Sequence, residues 1–173
     1  NGGFTFFDAD LKKLQASIDK AMPNSKNFIY AFSNDMQTFL VSSSSDVDSG
    51  TFYVGRRNPI RLNAVAYRYK QLESALMSPT KRYDYKARDG LAIEAYLTLP
   101  KNSSGKKLAT IIFPHGGPIA RDDDNFDYWT QYFADKGYAE IHLRVESGSV
   151  QFVELNGIKQ ASIEFVLMVR DVN

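Results

Sequence analysis

The string Phe113-Pro114-His115-Gly116-Gly117-Pro118 is the part of this chain best suited to chemistry. Two adjacent glycines let a backbone turn tightly and aim N–H groups at a ligand. Donors placed in that way can hold the negative oxygen of a tetrahedral acyl intermediate, and losing one typically costs ~10²–10³ in rate. An ordinary tight turn would use the same residues, so on the string alone both readings stay open. Asp122, Asp123, Asp124 and Asp127 invite a metal-site reading. An acidic loop leading into a helix N-terminus, where the helix dipole favours negative charge, is the plainer account. The polar run from Ser42 to Asp48 lacks EF-hand ligand spacing and reads as a hairpin loop. With 0 Cys, the chain has no disulfide, thiolate metal site or cysteine nucleophile.

These residues need elements to position them. In the first half, Phe4 to Phe7 reads as a short aromatic strand. Asp10 reads as the N-cap of a helix with Leu11, Leu14, Ile18 and Met22 at helical spacing, closed by Pro23 and Asn24. Brief β-rich runs follow at Asn27 to Ser33, Thr38 to Ser43 and Thr51 to Val54, with another over Ile60 to Tyr69. A spacing of roughly 11–12 residues suits a sandwich, a barrel or about one and a half propeller blades. Gln71 to Pro79 reads as a short helical connector and marks the boundary between domains.

The second half changes character. Arg82 to Lys86 and Ala92 to Leu99 alternate around an Arg88-Asp89-Gly90 turn signal. Ala109 to Phe113 is nearly all apolar and suits a strand buried on both faces. A helical pattern over Tyr128 to Lys136 ends at Gly137, Tyr138 to Arg144 reads as a strand, and Ile158 to Val172 as a helix. A buried strand, a glycine-rich loop, a helix and a further strand predict an open α/β sheet with ligand chemistry at the strand's C-terminal end. Trp129 and the other aromatics are read as core by default.

Composition bounds the function classes. The 173 residues are 43% hydrophobic and 24% charged, ordinary values for a globular chain. A net charge of +1 gives no electrostatic case for nucleic acid or an anionic membrane. The longest apolar run, Phe165 to Val169, is far short of the ~20 residues of a membrane span. The chain begins at Asn1 without a signal-peptide core and reads as a piece of something longer.

The stretch Ala109 to Asp122, with Tyr128-Trp129, Phe133-Ala134 and Lys136 to Ala139, resembles the prolyl oligopeptidase family of serine peptidases, in its acylaminoacyl-peptidase and dipeptidyl-aminopeptidase branch. Tyr85 to Leu91 and Ala95 to Pro100 resemble that family's entry into its catalytic domain, and Asp46 to Tyr53 the last part of its β-propeller. The resemblance implies the end of an all-β propeller over residues 1–78, joined to the N-terminal part of an α/β-hydrolase domain over 79–173. It implies cleavage of short peptides or acyl-peptides without a cofactor or metal. Gly117, with Gly116 beside it, falls in the oxyanion-hole loop, and His115 has a loop-structuring role. His115 is not the triad base, because the order in this fold is Ser, acid, then His.

No Gly-x-Ser-x-Gly elbow occurs, and Ser147 and Ser149 read as loop serines. The resemblance therefore places the whole catalytic triad beyond Asn173. After Ala139 the pattern departs: Val145, Val150, Ala161 and Ser162 stand where Gly, Gly, Trp and Gly are expected. His142 is read as a surface or satisfied strand histidine with no assigned partner. The partners implied are a peptide substrate and the rest of the same polypeptide, with a homo-oligomer left open. Neither nucleic acid nor membrane is expected, and the compartment stays open between cytoplasm and, for a bacterial protein, periplasm. An inactive binding or interaction module and an esterase of the same fold are the alternatives.

Overall fold

A computed structural model describes residues 5–114, 122–144, 153–155 and 158–160. The chain divides into two compact units, residues 1–79 with 125–128, and residues 80–124 with 129–173. Among the described residues no helix is long and apolar enough to cross a membrane.

In the first unit the leading helix, α1, runs from Ala9 to Ala21. Its N-cap is Asp8 and not Asp10, because the Asp8 carboxylate accepts from the backbone N–H of both Asp10 and Leu11 at 2.9 Å. Residues 5–7 are irregular rather than a strand, and Phe6 packs against the core from there. Four strands then form an antiparallel meander: β1 (Lys26–Phe32), β2 (Thr38–Ser44), β3 (Thr51–Arg56) and β4 (Arg61–Tyr67). α1 packs against β1. Leu14 and Ile18 of α1 meet Ile29, Phe39 and Val41 of the sheet in the core cluster. Side chains on alternate strand positions share a face, so Phe39 and Val41 both point inward from β2. The Asn27 side-chain amide lies within hydrogen-bonding distance of Asp19 Oδ1 at 3.1 Å and of the Met22 carbonyl at 3.1 Å, which ties the end of α1 to the start of β1.

The loop from Ser45 to Gly50 is a hairpin connection that consumes its own polar groups. Ser45 Oγ accepts from the N–H of Val47 and Asp48, and Asp48 Oδ1 accepts from the N–H of Gly50 at 2.9 Å. The expected connector after Gln71 is reduced to a one-turn 3₁₀ helix, Ser74–Leu76.

The second unit holds a four-stranded sheet. Its strands are β5 (Thr80–Lys86), β6 (Ala92–Thr98), β7 (Thr110–Pro114) and β8 (Ala139–Arg144), in the spatial order β5-β6-β8-β7. β7 and β8 are parallel, joined through helix α2 (Tyr128–Asp135); the other pairs are antiparallel. β7 ends the sheet among the described strands, and its residues are half-buried or exposed rather than buried on both faces as the apolar run predicts, with Phe113 42% exposed. Gly137, at φ +87°, closes α2: its N–H donates to the Ala134 carbonyl and that of Tyr138 to Phe133. That pairing is the Schellman arrangement, which satisfies carbonyls a helix end would leave unmade. The helix expected from Ile158 is not found at its start. Residues Ile158–Gln160 form β10, paired antiparallel with β9 (Val153–Leu155). A run of three residues is too short for its apolar spacing to separate helix from strand.

One close approach fixes the first unit's core. A Cβ on Gly55 of β3 would fall inside the ring of Phe39, its register partner on β2. Gly55→Ala is therefore expected to destabilise by about 1–3 kcal/mol through overpacking. Adding Phe39→Leu should recover part of that loss, so the double variant's cost falls below the sum of the single ones. Urea denaturation of the four proteins measures this; strict additivity would show that the ring and residue 55 do not compete for space.

Candidate functional site

The chain leaves the parallel strand β7 at Pro114, and the residues singled out for chemistry come next in sequence. His115, Gly116 and Gly117 lie outside the described residues, as do Ser147 and Ser149. What the structure does describe is the pair of segments bracketing them, β7 on one side and the chain from Asp122 on the other.

Both segments meet His142. Opposite residues of paired strands present side chains on one face. Phe113 of β7, His142 of β8 and Tyr96 of β6 stand in one such row, with Ile111, Glu140 and Thr98 in the next. The first row brings the Phe113 ring to 5.4 Å from the imidazole. On the other side of the bracketed stretch, Asp122 Oδ1 lies 3.5 Å from His142 Nδ1. His142 Nε2 lies 3.0 Å from Thr130 Oγ1 of α2 and 3.1 Å from Glu140 Oε1. These side chains are sequestered: 12% exposed for His142, 19% for Asp122 and 0% for Glu140. α2 covers this face with small or polar residues, its buried positions being Thr130, Gln131 and Ala134. Trp129 and Tyr132 stay largely exposed, so the helix is where its pattern predicts while its aromatics are not its packing face.

The electrostatics follow from burial. Neither oxygen of Glu140 receives a well-aligned hydrogen bond, and Asp122 Oδ2 is likewise unmatched. The charge of the imidazolium is the compensation at hand. Burial presses the His142 pKa down, but the adjacent Glu140 carboxylate, and after it Asp122, outweigh burial and hold the pKa above its ordinary value. A hydroxyl, an imidazole and a carboxylate in line (Thr130, His142, Asp122) have the order of a nucleophile–base–acid triad. The arrangement cannot work as one. Thr130 is buried, and Glu140 contacts the same nitrogen that would have to take the proton. An imidazole stabilised in its charged form is a poor base. The cluster is a structural tie.

His142 is thus a satisfied histidine with three polar neighbours, where the sequence alone assigned it none. Asp122 belongs to it rather than to an acidic cluster. Among the described residues no three His, Cys, Asp or Glu side chains are arranged to hold a metal ion. The signal that sequence reading passed over is local. Glu140 and His142 are two polar residues at alternate positions of a strand whose other members, Ala139, Ile141 and Leu143, are apolar. Period two puts that pair on one face.

No family model matches the chain. Among curated proteins, dipeptidyl peptidase family member 6 of Caenorhabditis elegans is 25% identical over 161 residues, covering 80% of this chain and 22% of that protein. Dipeptidyl aminopeptidase BIII of Pseudoxanthomonas mexicana is 29% identical over 157 residues, covering 83% of this chain and 21% of its own length. The chain therefore spans about a fifth of the curated relatives it matches. Among solved structures, oligopeptidase B from Leishmania major superposes with a TM-score of 0.51 at 17% identity, over 71% of this chain and 18% of that one. At that identity the likeness is one of fold.

The raised pKa of His142 has a signed consequence. The folded state binds this proton more tightly than the unfolded chain does. The stabilisation is whole below about pH 6.5, the ordinary histidine value, and is lost as pH climbs through the higher folded-state value. Replacing His142 by Gln should therefore lower the urea midpoint more at about pH 5.5 than at about pH 9. An equal loss at both pH values would mean that folding does not raise the pKa of this imidazole.

Proposed function

We propose that this chain, similar over about a fifth of their length to two curated dipeptidyl peptidases, is one segment of a serine peptidase of the prolyl oligopeptidase family hydrolysing short peptides or acyl-peptides. In this reading residues 1–78 are the end of a β-propeller, and residues 79–173 begin an α/β-hydrolase domain. The division of the chain after Pro79, an antiparallel meander before it and a β–α–β unit after it support that layout. The observation that carries the proposal is the parallel pairing of β7 with β8 through α2, with His115-Gly116-Gly117-Pro118 starting where β7 stops. Ligand chemistry in sheets of this kind gathers at the carboxyl ends of parallel strands.

The chemistry assigned to this chain is electrostatic. As a serine hydroxyl from elsewhere in the polypeptide attacks a peptide carbonyl, the carbonyl oxygen becomes an oxyanion. The N–H of Gly117, with Gly116 beside it, donates to that oxygen, and His115 shapes the loop. The donors act because they are fixed before charge develops and need no reorganisation when it does. The nucleophile, acid and base come from the remaining part of the protein.

Gly117→Pro removes the N–H and tests the assignment directly. In the full-length protein kcat on a dipeptidyl or acyl-peptide chromogenic substrate should fall by ~10²–10³ with KM changed little. A variant that keeps the wild-type rate would refute the oxyanion role. Full-length protein that cleaves esters and no peptide would favour the esterase reading, and binding without turnover would favour the interaction module.

A further inference from the structure

We infer that His142 is a positioning residue that clasps the two stems of the 115–121 connection, and that Glu140 is the buried counter-charge that keeps the clasp shut. The inference rests on the oxyanion reading for its catalytic consequence, and on geometry alone for the clasp. One imidazole touches the chain on both sides of that connection: the Phe113 ring, two residues before it, and the Asp122 carboxylate, the residue after it. Glu140 and Thr130 hold the opposite nitrogen. A neutral imidazole carries one N–H and can donate on one side only, whereas the imidazolium donates on both. The ring faces a carboxylate at each nitrogen, Asp122 at 3.5 Å from Nδ1 and Glu140 at 3.1 Å from Nε2, and both attractions last only while it is charged. Losing the proton leaves both sequestered carboxylates without their counter-charge.

Among the described residues, the groups facing His142 from each neighbouring element are few. On its own strand the titratable neighbour is Glu140. Across β6 stands Tyr96, whose hydroxyl donates to Glu94 Oε1 at 2.7 Å, with Arg82 Nη2 3.4 Å from Glu94 Oε2 beyond it. Phe113 of β7 and Thr130 of α2 do not titrate, and Asp122 completes the set. Glu94 already has Tyr96 and Arg82, so the charge of His142 is left to Glu140 and Asp122.

If the connection carries the oxyanion donors, releasing a stem displaces them, and a misplacement of about 1 Å can cost on the order of 10²-fold in rate. Three readouts on the full-length protein separate this from a merely structural role. His142→Gln should lower kcat by about ten-fold or more with KM near the wild-type value. The wild type should lose kcat on the alkaline side as His142 deprotonates, and Glu140→Gln should move that limb to lower pH, because the imidazolium loses its counter-charge. Hydrogen–deuterium exchange of a peptide spanning residues 109–124 should be about ten-fold faster or more in His142→Gln, independent of any catalysis. Asp122→Asn, which keeps the shape and removes the charge, replaces His142→Gln if that protein does not fold, with the same direction expected. Wild-type kcat and exchange in the variant, with the limb unmoved by Glu140→Gln, would overturn the clasp while Gly117→Pro still judges the oxyanion reading. Should Gly117→Pro leave activity intact instead, the oxyanion reading falls and the exchange measurement alone decides the clasp.

Discussion

Glu140 has no exposed surface, and the described residues around it can be read as a response to that fact. A carboxylate taken out of water loses several kcal/mol of solvation unless a positive or donating partner replaces it. His142 is that partner, two residues along the same strand face. The choice then propagates. An imidazole shared with Glu140 needs a second acceptor for its other nitrogen, and Asp122 supplies it. It also needs a covering helix with small or polar residues on its inner side, which is what Thr130, Gln131 and Ala134 provide. A leucine-faced α2 would bury the same strand more conventionally but would strand both carboxylates.

The first unit solves the same problem, making an inside, by the opposite means. Its core is aliphatic and aromatic, and its buried polar groups sit at seams between elements. Asn27 is the clearest case, joining the end of α1 to the first strand through side-chain hydrogen bonds. Burying about 25 cal/mol per Å² of apolar surface stabilises such a unit without requiring any charge to be matched.

Much of this architecture is legible in the amino-acid sequence because it is local. The strands of the first unit follow from alternation between turn-forming residues such as Asn34-Asp35 and the glycine at 50, and α2 from its helical pattern and Gly137. What failed was decided by choices that residue types leave equal. Asp8 and Asp10 are both competent caps, and only backbone geometry selects the first. Phe4 to Phe7 has the composition of a strand, yet its described residues are irregular, with Phe6 drawn to the core and Phe7 left outside. Ile158 to Gln160 fits a helical spacing and is held as a strand by Val153–Leu155. The surroundings of His142 were only partly legible, for a different reason. Glu140 could have been read from period two, but Asp122 and Thr130 are brought to His142 by a crossover that a linear reading does not contain. The His115-Gly116-Gly117 string can be read from the sequence, while the contacts that meet at His142 on either side of it cannot.

The contact between Gly55 and Phe39 has a consequence on a longer timescale than folding. Because the ring occupies the space a side chain at 55 would need, the two positions are not free to drift separately. A lineage that enlarges residue 55 first carries the cost of the crowded ring, and one that shrinks position 39 first carries a cavity in its core. Either cost makes the pair slow to change and leaves a recognisable trace. Among descendants of this chain, a bulkier residue at 55 should more often be found in company with a slighter one at 39.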